Sequence, residues 1–128
     1  ILWIAQEQEG WISEEMMKYV GDLLGVPYAH VLGVVTFYTM YKSKQHGKYH
    51  IEVCTNVSCL LKGSDKILSA VERQCGAKPG HTSADGKYSV SEVECMGACG
   101  GAPMIAIGEE YHEHLTPEKT EQLLASLK

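Results

Sequence analysis

Four cysteines stand in two close pairs. Four residues separate Cys54 from Cys59, three separate Cys95 from Cys99, and 35 residues lie between the pairs. Four thiolates are the ligand set of a two-iron, two-sulfur cluster, two for each iron. The segments that carry them have a matching composition: Cys54-Thr-Asn-Val-Ser-Cys59 and Cys95-Met-Gly-Ala-Cys99-Gly-Gly-Ala-Pro103. Short loops rich in Gly, Ser and Ala let backbone N–H groups point at sulfur. An oxidised cluster with four thiolates carries a formal charge of about −2, so such donors, together with solvent exposure, help set its potential.

Other chemistries compete for the same residues. Structural zinc sites use pairs spaced C-x2–4-C, a range that holds the second pair and whose limit the first pair reaches. Two disulfides are a further alternative. No C-x-x-C motif is present, which speaks against dithiol exchange. The fifth cysteine, Cys75, falls on an apolar stripe eight residues after Ile67 and reads as a buried free thiol. An odd count of five cysteines suits a reducing compartment, with four thiolates on metal and one free.

The remaining polar residues near these segments have plainer readings. His112 and His114 flank Glu113 and read as a solvated turn or strand edge, because no histidine lies inside either cysteine segment. Met16, Met17 and Met40 read as packing residues. Glu92 and Glu94 alternate with Val93 and Cys95. Strand periodicity then puts both on one face, as a solvated surface or as negative charge that holds a cluster's potential low. Ala102-Pro103, beside the second cysteine segment, is a position suited to a cis peptide.

The elements that must position these residues fall into two segments. Residues 1–46 read as helical. A first helix covers roughly 1–8. Ser13 caps a second whose first turn carries Glu14 and Glu15. Met16, Met17, Val20, Leu23 and Leu24 recur on it at helical spacing, and Gly25 stops it. Pro27 opens a third at the first helical position, with Val31, Val34, Val35 and Tyr38 facing a partner element. Residues 42–48 form a polar linker.

Residues 47–128 alternate strand and helix. Tyr49, Ile51 and Val53 alternate with His50 and Glu52 in a strand that ends at Cys54. A helix with Ile67, Leu68, Val71 and Cys75 on one stripe follows the first cysteine loop. Lys78-Pro79-Gly80 breaks the chain and Asp85-Gly86 turns it. Residues 88–94 form a strand that arrives at Cys95, and 104–107 a short apolar strand. The chain turns at Gly108 into another near Tyr111. Thr116-Pro117-Glu118 starts a last helix, with Leu123, Leu124 and Leu127 inward. Both cysteine pairs follow strands, which can bring them together at one edge of the sheet in an α/β layer domain.

Composition narrows the function. The chain has 128 residues, 45% of them hydrophobic, and a net charge of −5 with only 11 Lys and Arg spread along it. That excludes a basic nucleic-acid surface. No apolar run approaches the roughly 20 residues of a membrane span, so no direct membrane insertion is expected. No G-x-G-x-x-G follows a strand, so neither NAD nor a flavin has a site of its own here. The chain opens at Ile1 inside a helical pattern, with no basic segment before it, so a fragment or processed product is expected.

Longer motifs add a resemblance. Gly47-Lys-Tyr-His-Ile-Glu-Val-Cys54-Thr-Asn-Val-Ser-Cys59, Lys78-Pro-Gly80, Val93-Glu-Cys95-Met-Gly-Ala-Cys99, Ala102-Pro-Met104 and the N-terminal Gly33-Val-Val-Thr-Phe-Tyr-Thr-Met40 together resemble the thioredoxin-like [2Fe-2S] ferredoxin subunits of respiratory complex I, the 24-kilodalton family of NADH:quinone oxidoreductase. The likeness runs from about residue 1 to 128. It implies an α/β chain: an N-terminal helical bundle segment over 1–46, incomplete at its start, then a thioredoxin-like [2Fe-2S] ferredoxin domain over 47–128. It implies Cys54, Cys59, Cys95 and Cys99 as ligands of one [2Fe-2S] cluster.

The same resemblance implies an oxidoreductase component with no substrate site of its own. Its cluster would exchange one electron with the FMN of an NADH-binding flavoprotein subunit, and FMN and NAD would be held only by that partner. Other peripheral-arm subunits would be neighbours, on the cytoplasmic side of a bacterial inner membrane or the matrix side of a mitochondrial one. The same module serves soluble NAD-linked hydrogenases and formate dehydrogenases, which stand as the alternative. A structural zinc module is a weaker one, and a free-standing ferredoxin another. Against the last, Val34, Val35, Phe37, Tyr38, Met40 and Tyr41 offer an apolar surface that suggests docking.

Overall fold

A computed structural model describes residues 1–128. The chain divides into two compact units, Ile1–His46 and Gly47–Lys128.

The first unit holds three helices: α1 (Leu2–Glu9), α2 (Glu14–Leu24) and α3 (Tyr28–Phe37). The Ser13 hydroxyl accepts the Met16 N–H at 3.1 Å, capping α2 as its sequence predicts. Ile12, Met17, Val20, Val31 and Val35 form the core. Gly21 makes the tight return to α3 feasible, since a Cβ there would come within 2.9 Å of the Val26 carbonyl oxygen.

Four expectations for this unit need correction. Pro27 precedes α3 in an extended conformation, with ψ 145°, so it caps the helix rather than occupying its first turn. Leu23 and Leu24 are exposed, because the apolar stripe of α2 is wider than the face that α3 covers. Val31 and Val35 turn inward, whereas Tyr38 lies past the helix end and is exposed. Met40, also past that end, is 54% exposed and does not serve as a packing residue. Of the apolar surface expected for docking, Phe37, Tyr38 and Met40 are exposed and Val35 is buried.

The second unit is a five-stranded sheet in the order β2-β3-β1-β4-β5. Its strands are β1 (Tyr49–Cys54), β2 (His81–Thr82), β3 (Tyr88–Val93), β4 (Ile105–Ile107) and β5 (Glu110–His112). The helices are α4 (Val57–Leu61), α5 (Ser64–Cys75) and α6 (Pro117–Ser126). β1 and β3 are parallel neighbours. Parallel strands need a long crossover, and α4 and α5 lie on it. Ile51, Val53, Val90 and Ile105 pack with Ile67, Val71 and Leu124 in one core, and Cys75 lies in it as expected. The Thr116 hydroxyl caps α6 by accepting the Lys119 N–H.

β2 has only two residues, antiparallel to β3, too few for alternation to betray it. α4 also departs from expectation: the first cysteine segment is not a plain loop, because Asn56 caps a short helix with Cys59 inside it. The Ala102–Pro103 peptide is cis.

Candidate metal centre

The register of the two central parallel strands decides where the cysteines go. Cys54, the last residue of β1, sits opposite Val93, the last residue of β3, and Cys95 follows two residues later. Both pairs therefore emerge at the same end of adjacent inner strands, not at an outer edge of the sheet. β1 pairs with β4 on its other side, and Met104, just before β4, packs against Cys54 and Cys59. The Cys54 N–H donates to the Met104 carbonyl at 3.4 Å.

The pairs differ in environment. Cys54 and Cys59 are buried, while Cys95 and Cys99 are exposed. The Cys95 and Cys99 sulfurs lie 3.7 Å apart. A tetrahedral ion with metal–sulfur bonds of about 2.3 Å holds two of its thiolates roughly 3.8 Å apart, so this spacing fits two ligands of one ion. Cys59 is paired in turn with Cys54 through a side-chain hydrogen bond, and two pairs are the division a two-iron cluster makes of its ligands.

All four sulfurs nevertheless interact. Burial pushes the Cys59 thiol up to about 11, and its hydrogen bond and charge interaction with Cys54 and the charge of Cys99 push the same way. A backbone hydrogen bond from Met104 opposes them. The Cys99 thiol is raised first by its hydrogen bond with Cys95 and then by that neighbour's charge, with a smaller contribution from Cys54. The Ser58 side chain, from α4, hydrogen-bonds Cys99 and lowers it. Thiols that crowd one another's charge suit a cation, which takes the protons' place.

The second loop is held from β5 and the turn after it. The Tyr111 hydroxyl donates to the Met96 carbonyl at 3.0 Å. The His114 N–H donates to the Gly101 carbonyl at 2.7 Å and the Leu115 N–H to the Pro103 carbonyl at 3.1 Å. His114 adopts φ 51°, in the left-handed region. It is exposed, as the solvated-turn reading expects. Gly101 is buried under the Glu113 side chain, whose Cβ lies 2.7 Å from where a Cβ on residue 101 would stand. No local pattern announces the Tyr111 contact, because an aromatic in a three-residue strand reads as packing. Glu92 and Glu94 are exposed, consistent with a solvated face, and only Glu92 lies within the strand.

Cys75 stands apart, buried in the helix–sheet core at 5% exposure. Burial raises its thiol to about 11, helped by Asp85 and opposed by Lys87. Its proton is held more tightly in the fold than in the unfolded chain. The thiol therefore supports folding fully below about pH 9 and progressively less toward pH 11. Cys75→Ala is expected to leave iron and sulfide content unchanged and to flatten that alkaline loss of stability. A fall in iron content, assayed beside the parent, would make Cys75 a ligand.

Comparison with known proteins places this geometry. The profile of the thioredoxin-like [2Fe-2S] ferredoxin family matches residues 1–128. The E subunit of the NADH-quinone oxidoreductase of Rickettsia conorii is 42% identical across 100% of this chain and 77% of its own length. Its counterpart from Rickettsia felis is 44% identical over 97% of this chain and 75% of its own. Among solved structures, an NAD+-reducing [NiFe]-hydrogenase in the H2-reduced state superposes with a TM-score of 0.81 at 17% identity, over 99% of this chain and 22% of that longer one. A thioredoxin-like [2Fe-2S] ferredoxin from Aquifex aeolicus superposes with a TM-score of 0.50 at 18% identity, over 59% of this chain and 76% of its own. At those identities the structures speak to fold alone.

Proposed function

The chain belongs to the thioredoxin-like [2Fe-2S] ferredoxin family, and from that premise we propose that it is the electron-transfer subunit of an NADH:quinone oxidoreductase. In this reading Cys54, Cys59, Cys95 and Cys99 hold one [2Fe-2S] cluster. A cluster held there would exchange single electrons with the FMN of an NADH-binding flavoprotein subunit, among other subunits of a peripheral arm on the cytoplasmic or matrix side of a membrane. The observation that carries the reading is the delivery of two cysteine pairs to one end of adjacent parallel strands, with the exposed pair at ligand spacing.

When bound, the cluster supplies one-electron chemistry that side chains lack. The chain's own work is positional. The buried pair is fixed by β1, α4 and Met104, so that side of the site resists rearrangement. The exposed pair stands where a partner can approach. The Gly97 N–H, 3.4 Å from the Cys95 sulfur, stabilises negative charge there, and such bonds to sulfur help set a cluster's potential.

The fold likeness to an NAD+-reducing hydrogenase over 99% of the chain favours one second reading, the same component in a soluble NAD-linked hydrogenase or formate dehydrogenase. Co-purifying subunits separate the two: membrane subunits for the first, hydrogenase or molybdenum subunits for the second.

The test is EPR of the anaerobically purified, dithionite-reduced protein, with iron, zinc and acid-labile sulfide assayed on the same sample. A spin-one-half signal with about two iron and two sulfide per chain is expected. An EPR-silent protein with zinc and no sulfide would replace the electron carrier with a structural zinc module.

A further inference from the structure

The peptide that joins Met96 to Gly97 is hydrogen-bonded at both ends. Its carbonyl accepts from the Tyr111 hydroxyl at 3.0 Å. Its N–H donates to the Cys95 sulfur at 3.4 Å. Gly97 itself adopts φ 79°, a left-handed conformation open to a residue with no side chain. The hydroxyl, the peptide and the sulfur thus form one chain of donors and acceptors. We propose that Tyr111 is a positioning residue that raises the reduction potential of a cluster held by Cys95, by polarising the Met96–Gly97 peptide. The proposal rests on the cluster reading above.

Hydrogen bonds in series strengthen one another. A donor on the Met96 carbonyl draws electron density along the peptide and makes the Gly97 N–H a better donor to sulfur. Reduction adds negative charge to a cluster and its thiolates. A stronger N–H bond to sulfur therefore stabilises the reduced state more than the oxidised one, and the potential rises.

The geometry favours a tuning role over a purely structural one. Tyr111 sits in β5, paired with Ala106 of β4, so its ring is placed by the sheet and not by the cysteine loop. That loop has two further ties, from the His114 N–H to the Gly101 carbonyl and from the Leu115 N–H to the Pro103 carbonyl. Both survive loss of the Tyr111 hydroxyl. Tyr111 is also 52% exposed, so Tyr111→Phe, which keeps the ring, leaves the fold and the loop in place.

The test is an EPR-monitored potentiometric titration of the cluster-loaded full chain as parent, Tyr111→Phe and Tyr111→Leu. Tyr111→Phe is expected to keep its iron and sulfide and to be reduced about threefold less readily. That is a midpoint roughly 28 mV more negative, at about 59 mV per tenfold for one electron. Tyr111→Leu is expected to shift as far. An unchanged or raised midpoint in fully loaded Tyr111→Phe overturns the proposal and leaves the cluster reading standing. So does a shift confined to Tyr111→Leu, which would assign the effect to the ring. A parent chain that assembles no two-iron cluster overturns the functional reading itself.

Discussion

Cys54→Ala, purified without oxygen, is expected to retain less than about a tenth of the parent's iron and sulfide, because a cluster needs two thiolates on each iron and the variant leaves one iron with a single cysteine. Cys54 is a demanding choice for this test. It is buried, it ends β1, and its sulfur lies 3.3 Å from the Glu94 carbonyl, with Cys59 as its hydrogen-bonding neighbour. No other cysteine can take its place, since Cys75 lies in the core between sheet and helices. Loss of one sulfur atom from a small buried residue costs about 1 kcal/mol of packing. Far-UV circular dichroism should therefore stay close to the parent's while the iron disappears. Full iron and sulfide with an unaltered EPR signal would remove Cys54 from the ligand set and with it the pairing on which the site is built. Alanine is preferred to serine because a serine oxygen can itself bind iron.

The parts of this site that are legible in the sequence are those with a local signature. Alternation over Tyr49–Val53 marks β1, and both flanking faces agree with it: Ile51 and Val53 are buried while His50 and Glu52 are not fully so. The same logic locates β3 and the two strand-to-cysteine junctions. Ser13 and Thr116 announce their helices because capping is written within three residues. Elements that depend on distant partners are not legible. α4 has five residues, shorter than the length at which helical periodicity can be read, and it is held by the Asn56 cap and by Cys59 packing with Met104. Leu24 and Met40 obey helical and packing expectations by composition, yet what covers a residue is a property of the fold, and both stand exposed. The contact of Tyr111 with Met96 spans 15 residues and follows from the β4–β5 hairpin returning beside the cysteine loop. No short-range pattern encodes it.

Gly47→Ala is expected to lower the unfolding midpoint of the cluster-loaded chain by about 10 °C or more, from a destabilisation of roughly 2–3 kcal/mol. A Cβ at this position would stand 2.7 Å from the Tyr88 carbonyl carbon, 2.9 Å from the Tyr88 nitrogen and 3.0 Å from the Gly86 carbonyl oxygen. All three are backbone atoms, so no side-chain rotation relieves the clash. The Lys48 N–H donates to the Gly86 carbonyl at 3.1 Å and the Tyr49 N–H to the Lys87 carbonyl at 2.8 Å. The strain therefore falls at the start of the β1–β3 ladder, and those two strands deliver Cys54 and Cys95. Relief requires the strands to separate where they begin, which weakens the element that sets the sulfur positions at their other end. Gly33→Ala is the matched control, since a Cβ on that helical glycine meets nothing within 4 Å. It should be neutral or stabilising by up to about 1 kcal/mol. Thermal scans of the three proteins at one scan rate, followed by visible absorbance of the cluster and by far-UV circular dichroism, decide the matter. A Gly47→Ala midpoint indistinguishable from the parent's would mean that β1 and β3 tolerate a wider approach at residue 47, and that the spacing of the cysteine pairs does not depend on it.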